Sequence, residues 1–217
     1  MAATPVLVAG CTSPLSTLDP AGPGAANIET LWWVMFWGSV ALFFMVMGFL
    51  ALSLLRPKAL SGIKPMHWVV GGGLLMPIPI LAALLVAALI LGEQLLPKPG
   101  AAAPMRIEGR AAQWYWEFSY PDLPGAPSSG VLHLPAGEPV DIAITSEDVI
   151  HAFWIPRLGG KLDAVPGHVN VLRIAADEPG IYRGICAEYC GPGHDDMGFV
   201  AQAHAPADFA AAVGGNP

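Results

Sequence analysis

Two long runs almost free of polar positions fill the first half of the chain, and short runs of mixed or alternating character fill the second. From Leu31 to Leu55 the sequence LWWVMFWGSVALFFMVMGFLALSLL carries no charge. A helix needs about 20 apolar residues to cross the hydrocarbon core of a bilayer, so this run predicts a membrane-spanning helix. The run from Trp68 to Gly92 is also uncharged. Its Gly71 to Gly73, Pro77 and Pro79 would kink a helix in water, but membrane helices tolerate such residues where neighbours re-satisfy the freed backbone groups. A helical hairpin buried in a soluble protein is the alternative, and the length and purity of both runs argue against it. Arg56, Lys58, Lys64 and His67 lie between the runs, and no Lys or Arg precedes Leu31. Positive residues favour the cytoplasmic side, which places loop 56–67 inside and both flanks outside.

The stretch Pro97 to Pro104 (PKPGAAAP) reads as a semi-rigid linker. It divides a helical hairpin at 31–96 from an external domain at 97–217, with an external segment at 1–30 ahead of both. Beyond the linker, extended runs are expected at 113–120, 131–134, 139–145, 169–175, 180–185 and 198–204, punctuated by Gly, Pro and Asp. Val140, Ile142 and Ile144 alternate with Asp141, Ala143 and Thr145, the period of a strand with one buried face. Many short strands at close spacing predict an antiparallel sandwich or small barrel, closed by a short helix over 206–213.

Composition agrees with the pattern. The chain is 54% hydrophobic and 12% charged, with a mean hydropathy of +0.53, more apolar than a soluble globular protein. A formal charge of -7 disfavours nucleic acid and favours a basic partner reached by electrostatic steering. Three cysteines are too few for a disulfide-stapled scaffold. Cys11, after Val8-Ala9-Gly10, is similar to the processing site of a bacterial lipoprotein, in which the thiol is acylated and residues 1–10 are removed. Met1 to Gly10 has no basic region and only a short apolar run, so an unmodified cysteine in an irregular tail is an equal reading.

The chemistry concentrates in Cys186-Ala-Glu-Tyr-Cys190-Gly-Pro-Gly-His194-Asp-Asp-Met197, which gathers two thiols, an imidazole and a thioether. These are the soft and borderline donors that copper prefers. Spacings of four would suit one helical face, but Gly191, Pro192 and Gly193 make a continuous helix implausible, so the ligands are expected on a loop. A mononuclear blue-copper loop has one Cys where this has two, and two thiolates can bridge two ions. A Cys186–Cys190 disulfide and a zinc site, which would not ordinarily recruit Met197, are the alternatives.

The spacing Cys-x-Glu-x-Cys-Gly-x-x-His-x-x-Met resembles the dinuclear copper A signature of the cytochrome c oxidase subunit II family. Ser146 to His151, Asp163 to Gly167 and Gln113 to Trp116 are similar to further blocks of that family, in the same order. The resemblance implies a cupredoxin-like domain after two membrane helices. In it Cys186 and Cys190 would bridge both coppers, with His151 and Met197 completing one ion and His194 and the Glu188 carbonyl the other. Shared thiolates would spread the odd electron over both metals, and a rigid loop would keep reorganisation small. The Glu188 carboxylate would reach a magnesium or manganese ion shared with subunit I, since hard ions favour carboxylate oxygen. Trp114 would be the ring through which electrons arrive from a c-type cytochrome, whereas Tyr115 and Trp116 read as packing. Glu147, Asp148, Asp195 and Asp196 would suit a basic donor, although clustered acids are often simply solvated.

The same resemblance implies a membrane-embedded assembly with subunits I and III, in the bacterial inner membrane with the copper domain on the periplasmic or outer face. Haems would reside only in the partner subunit, where oxygen is reduced to water and protons are moved. A quinol oxidase subunit shares the fold but typically lacks the copper ligands. A nitrous-oxide reductase carries a similar domain but is soluble, with a large separate catalytic domain. A copper-delivery protein would want exposed thiols, and a fused haem c would need Cys-x-x-Cys-His, which does not occur. His67, His133, His168 and His204 lack neighbouring ligand types in sequence and read as packed or exposed side chains.

Overall fold

The computed structural model describes residues 12–93, 104–123, 126–127 and 129–214. Cys11 and the linker from Pro97 to Ala103 lie outside the described residues. The chain divides into two compact units, Thr30–Glu93 on the one hand and the residues up to Glu29 together with those from Gln94 on the other.

The helical unit follows the apolar runs. Helix α1 spans Pro23–Leu55, eight residues ahead of the expected start at Leu31: Pro23 supplies a fixed φ at its first turn, and the added turns carry the polar Asn27, Glu29 and Thr30 ahead of the apolar run. Two short turns, α2 (Pro57–Leu60) and α3 (Pro65–His67), fill the loop, each opened by a proline. A wider π-helical stretch, Trp68–Leu75, leads into α4 (Pro77–Glu93). The Met76 N–H donates to the Gly71 carbonyl at 3.0 Å, a bond one residue longer than the α-helical one. Gly71 to Gly73 accept the widened turn, and Pro77 has no N–H for an ordinary ladder there. Within the unit, Phe49 meets Trp68 edge to face at 5.3 Å. The two spans, Pro23–Leu55 and Pro65–Glu93, are long and apolar enough to cross a membrane, and their apolar windows are wholly unburied. A surface that apolar is unstable in water and stable in lipid.

Among the described residues the second unit is a sandwich of nine strands: β1 (Met105–Ala112), β2 (Tyr115–Ser119), β3 (Val131–Pro135), β4 (Val140–Ser146), β5 (His151–Trp154), β6 (Leu162–Ala164), β7 (Asn170–Ile174), β8 (Gly180–Cys186) and β9 (Gly198–His204). One sheet has the order β2-β1-β4-β7 and the other β3-β9-β8-β5-β6. A closing helix, α5 (Pro206–Ala212), follows β9. The expected sandwich is present, but it is not purely antiparallel: β1 pairs with β4 and β3 with β9 in parallel. β1–β2, β5–β6 and β8–β9 are consecutive antiparallel pairs, but the other consecutive strands cross between the sheets, so the parallel pairs join segments distant in sequence and local alternation carries no information about their direction.

The core lies between the sheets. Val140, Ile142 and Ile144 point inward as their alternation predicted. Phe118, Phe153, Phe199 and Trp116 fill the centre, with Phe153 and Phe199 stacked at 5.0 Å and Trp116 edge-on to Phe153 at 5.6 Å. Removing one such ring costs about 3–5 kcal/mol. Gly184 lies directly under the Phe199 ring, with no room for a Cβ.

The segment ahead of α1 and the first residues of that helix, up to Glu29, are part of this unit. Ala21 donates to the Arg157 carbonyl at 2.7 Å and accepts from the Asp177 N–H at 2.9 Å, and Ala25 donates to Leu158 at 3.2 Å. The Arg157 guanidinium bonds the Asp19 carbonyl at 2.8 Å and its carboxylate at 3.0 Å. Gly22 passes so close to the Ala175 carbonyl that no side chain fits. Residues Asp19 to Ala25 are thereby fastened to the sandwich.

Candidate metal centre

Three separated segments build the site, and backbone bonding holds them together. Strand β8 ends at Cys186, whose N–H donates to the Met197 carbonyl at 3.0 Å, closing the neck of loop 187–196. Ala187 is pinned to β5 through its bond to the Ala152 carbonyl at 2.9 Å. Inside the loop, His194 donates to Gly191 and Met197 to His194, and His194–Asp196 form one 3₁₀ turn. Gly191 has a φ of +124°, a conformation open to glycine and strained for other residues. The ligand segment is therefore non-helical apart from that turn, as expected, but Cys186 is the last residue of a strand rather than a loop residue.

The donor atoms converge. The Cys186 and Cys190 sulfurs are 3.9 Å apart and both cysteines are free. The His151 Nδ1 is 3.8 Å from the Cys186 sulfur, the His194 Nδ1 3.6 Å from the Cys190 sulfur, and the Met197 thioether 3.7 Å from the same sulfur. The Glu188 carbonyl oxygen is 3.3 Å from the Cys186 sulfur, while its carboxylate side is exposed. The ligand atoms of His151, Cys186 and Cys190 lie within 4.8 Å of one another. His151 and Met197 are wholly buried, and the two thiols nearly so.

This geometry suits metal. Two sulfurs 3.9 Å apart fall within twice a metal–thiolate bond of about 2.3 Å, so one ion can bond both. Burial, and then the neighbouring Cys186, push the Cys190 thiol up to about 11. A cation that replaces its proton relieves that penalty, because the thiolate is the ligating form. Soft sulfur with imidazole selects copper or zinc, and the thioether tips the set towards copper.

Around the donors, the structure shows what spacing does not. The His151 Nε2 meets the Asp148 carboxylate at 2.9 Å. Burial opposes ionisation of Asp148, but the hydrogen bonds from His151 and from the Gln113 and Val149 N–H groups outweigh it and bring its carboxyl down to about 2. Asp148 reads in sequence as a docking or solvated acid, and the structure makes it the partner of a candidate ligand. Gln113 bridges the same groups: its N–H donates to Asp148 at 2.7 Å and its side-chain amide to the Cys190 carbonyl at 2.8 Å.

Trp114 occupies the β1–β2 turn, not a strand. Its indole lies against Gly191 and Gly193, and a Cβ on Gly193 would stand 2.5–2.8 Å from its ring carbons. The ring is 41% exposed, so one face touches solvent while the other touches the ligand loop. Trp116 is buried beside His151, the packing role expected of it. Glu147 pairs with Arg110 at 2.9 Å, and Asp195 and Asp196 are exposed on the 3₁₀ turn.

The family described as cytochrome C oxidase subunit II, periplasmic domain, matches residues 129–204. The cytochrome c oxidase subunit 2 of Alkalihalophilus pseudofirmus is 45% identical over 87 residues, 40% of this chain and 25% of that protein. The ubiquinol oxidase subunit 2 of Acetobacter aceti is 32% identical over an alignment of 223 residues, 96% of this chain and 71% of that protein. The chain belongs to the cytochrome oxidase subunit II family. A chain from a haem-copper terminal oxidase dimer solved by cryo-electron microscopy matches with a TM-score of 0.50 at 25% identity, over 65% of this chain and all of that one. The chain spans 25% to 65% of the length of the first four cytochrome c oxidase subunits it matches. This chain has two long apolar helices followed by a cupredoxin-like sandwich, as the sequence resemblance led one to expect.

Proposed function

We propose that this chain is the electron-accepting subunit II of a respiratory cytochrome c oxidase, with Cys186, Cys190, His151, His194, Met197 and the Glu188 carbonyl holding a dinuclear copper A centre. The convergence of two free thiols, two imidazole Nδ1 atoms, a thioether and a carbonyl in one buried pocket is the observation that carries this reading. A bound copper pair supplies one-electron transfer with little change in geometry. The protein's own task is to hold the ligands still and dry. The β8 end, the neck bond to Met197 and the Gln113 and Asp148 bridges do the holding, and the aromatic core beneath excludes water.

Trp114 touches both solvent and the ligand loop, so it is the natural ring for electrons arriving from a c-type cytochrome. Glu188 turns its carbonyl to Cys186 and leaves its carboxylate outside, where it suits magnesium or manganese at a contact with subunit I. The two helices would anchor the chain in the bacterial plasma membrane with loop 56–67 in the cytoplasm and the sandwich on the opposite face, and haem and oxygen chemistry would belong to subunit I. The Acetobacter relative, a ubiquinol oxidase subunit, supports a second reading in which quinol is the donor and no copper binds. Full-length chain in detergent, loaded with copper, separates the two. Two coppers per chain and a multi-line electron paramagnetic resonance spectrum support the first, and a copper-free product or a single-copper spectrum overturns it.

A further inference from the structure

A second group of metal-binding side chains lies on the sandwich, built from residues that look unrelated in sequence. Strands β3 and β9 run parallel, with His133 opposite Gln202 and Pro135 opposite His204. Leu132 and Leu134 on β3, and Phe199, Ala201 and Ala203 on β9, face the core, so alternation sends His133, Gln202 and His204 to the outer face. There the two imidazoles meet: the His133 Nδ1 is 2.9 Å from the His204 Nε2, and the rings stack at 5.1 Å and 30°.

We propose that His133 and His204 form a two-imidazole site for a divalent transition cation of borderline character, zinc foremost. The backbone on both sides is already fixed. The His133 N–H donates to the Tyr120 hydroxyl at 2.6 Å, and that hydroxyl donates back to the His133 carbonyl at 3.3 Å. The His204 carbonyl accepts from Ala136 at 2.8 Å. The two rings therefore face each other without further ordering of the chain. At a nitrogen separation of 2.9 Å the nitrogens share one proton, and an ion can take the place of that proton. Zinc–imidazole bonds of about 2.0–2.1 Å at a tetrahedral angle set the nitrogens about 3.4 Å apart, which small side-chain rotations of two half-buried rings supply. Both rings are half-buried rather than sealed, so water and the Gln202 amide can complete the coordination.

The site is separate from the thiol centre. Strand β9 leaves Gly198, next to Met197, and at about 3.3 Å per residue reaches His204 roughly 20 Å away. Burial and the neighbouring His204 lower the pKa of His133, which favours the neutral, ligating form of that ring.

The test is a titration of full-length chain in detergent with zinc chloride against a colorimetric indicator, on two backgrounds. One is copper-loaded wild type. The other is the metal-free Cys186→Ser/Cys190→Ser chain, in which the thiol site cannot compete, so failure of the copper reading leaves this test intact. One zinc equivalent on each background is expected, lost in His133→Gln, in His204→Gln and in the double variant. X-ray absorption of the zinc-loaded serine chain should show nitrogen and oxygen neighbours with two imidazoles, and this needs no histidine variant. Zinc uptake unchanged by His133→Gln and His204→Gln, or a zinc spectrum without a pair of imidazoles, overturns the proposal.

Discussion

The proposed centre gives His151 and His194 the same task, yet the protein builds them differently. His151 opens a strand, is wholly buried, and has its ring gripped at both nitrogens, by Asp148 at 2.9 Å and beside Cys186 at 3.8 Å. His194 sits on a single 3₁₀ turn, is half-buried, and has its ring flanked by the exposed Tyr189 edge-on at 5.7 Å. A ligating histidine whose outer N–H meets a carboxylate is fixed in tautomer and orientation and made more basic. One imidazole is thus locked by the sheet and the other is held by a loop, which assigns rigidity to the His151 side and adjustability to the His194 side.

Cys190→Ser should have the largest effect, because that sulfur lies within 4 Å of Cys186, His194 and Met197 together: all multi-line copper signal is lost, read by electron paramagnetic resonance. If the sides differ as described, His151→Ala should lose the signal and also lower the unfolding midpoint, since it empties a buried position, whereas His194→Ala should lose the signal with the midpoint nearly unchanged. Equal midpoints would remove the distinction. Asp148→Asn should weaken copper affinity by about 10–100-fold and shift the reduction potential while the protein stays folded. Gly193→Val should displace the Trp114 ring and slow reduction by cytochrome c with copper still bound, and Trp114→Ala should do the same. Loss of copper in Trp114→Ala would show the ring to be structural. Tyr189→Ala should have the smallest effect, less than about tenfold in affinity, confined to the His194 side.

The donor cluster was legible because five of the six candidate ligands fall in one short stretch, Cys186 to Met197, whose residue types select a metal by chemistry alone. His151 entered only through the family resemblance, since β5 was not visible in the alternation. The roles of Asp148 and Gln113 were not legible, because both arise from contacts between segments far apart in the chain: Gln113 reaches Cys190 across 77 positions. Trp114 was placed on a strand because the aromatic run continues into β2, and it is the hairpin turn that swings its ring onto Gly191 and Gly193. The His133–His204 pair was read as two unrelated histidines, since a parallel ladder joins residues 71 apart.

The sequence by itself determined the two apolar spans, the existence of a β-rich second half, the inward face of β4 and the thiol-imidazole-thioether set. Each is a local property, set by side-chain polarity at a fixed period or by the residue types within one short stretch. Only the tertiary structure decided which strands run parallel, which carboxylate grips His151, what Trp114 rests on and which histidines meet. Those are pairings between distant segments, and they follow from how two sheets bury a shared core rather than from any residue's immediate neighbours.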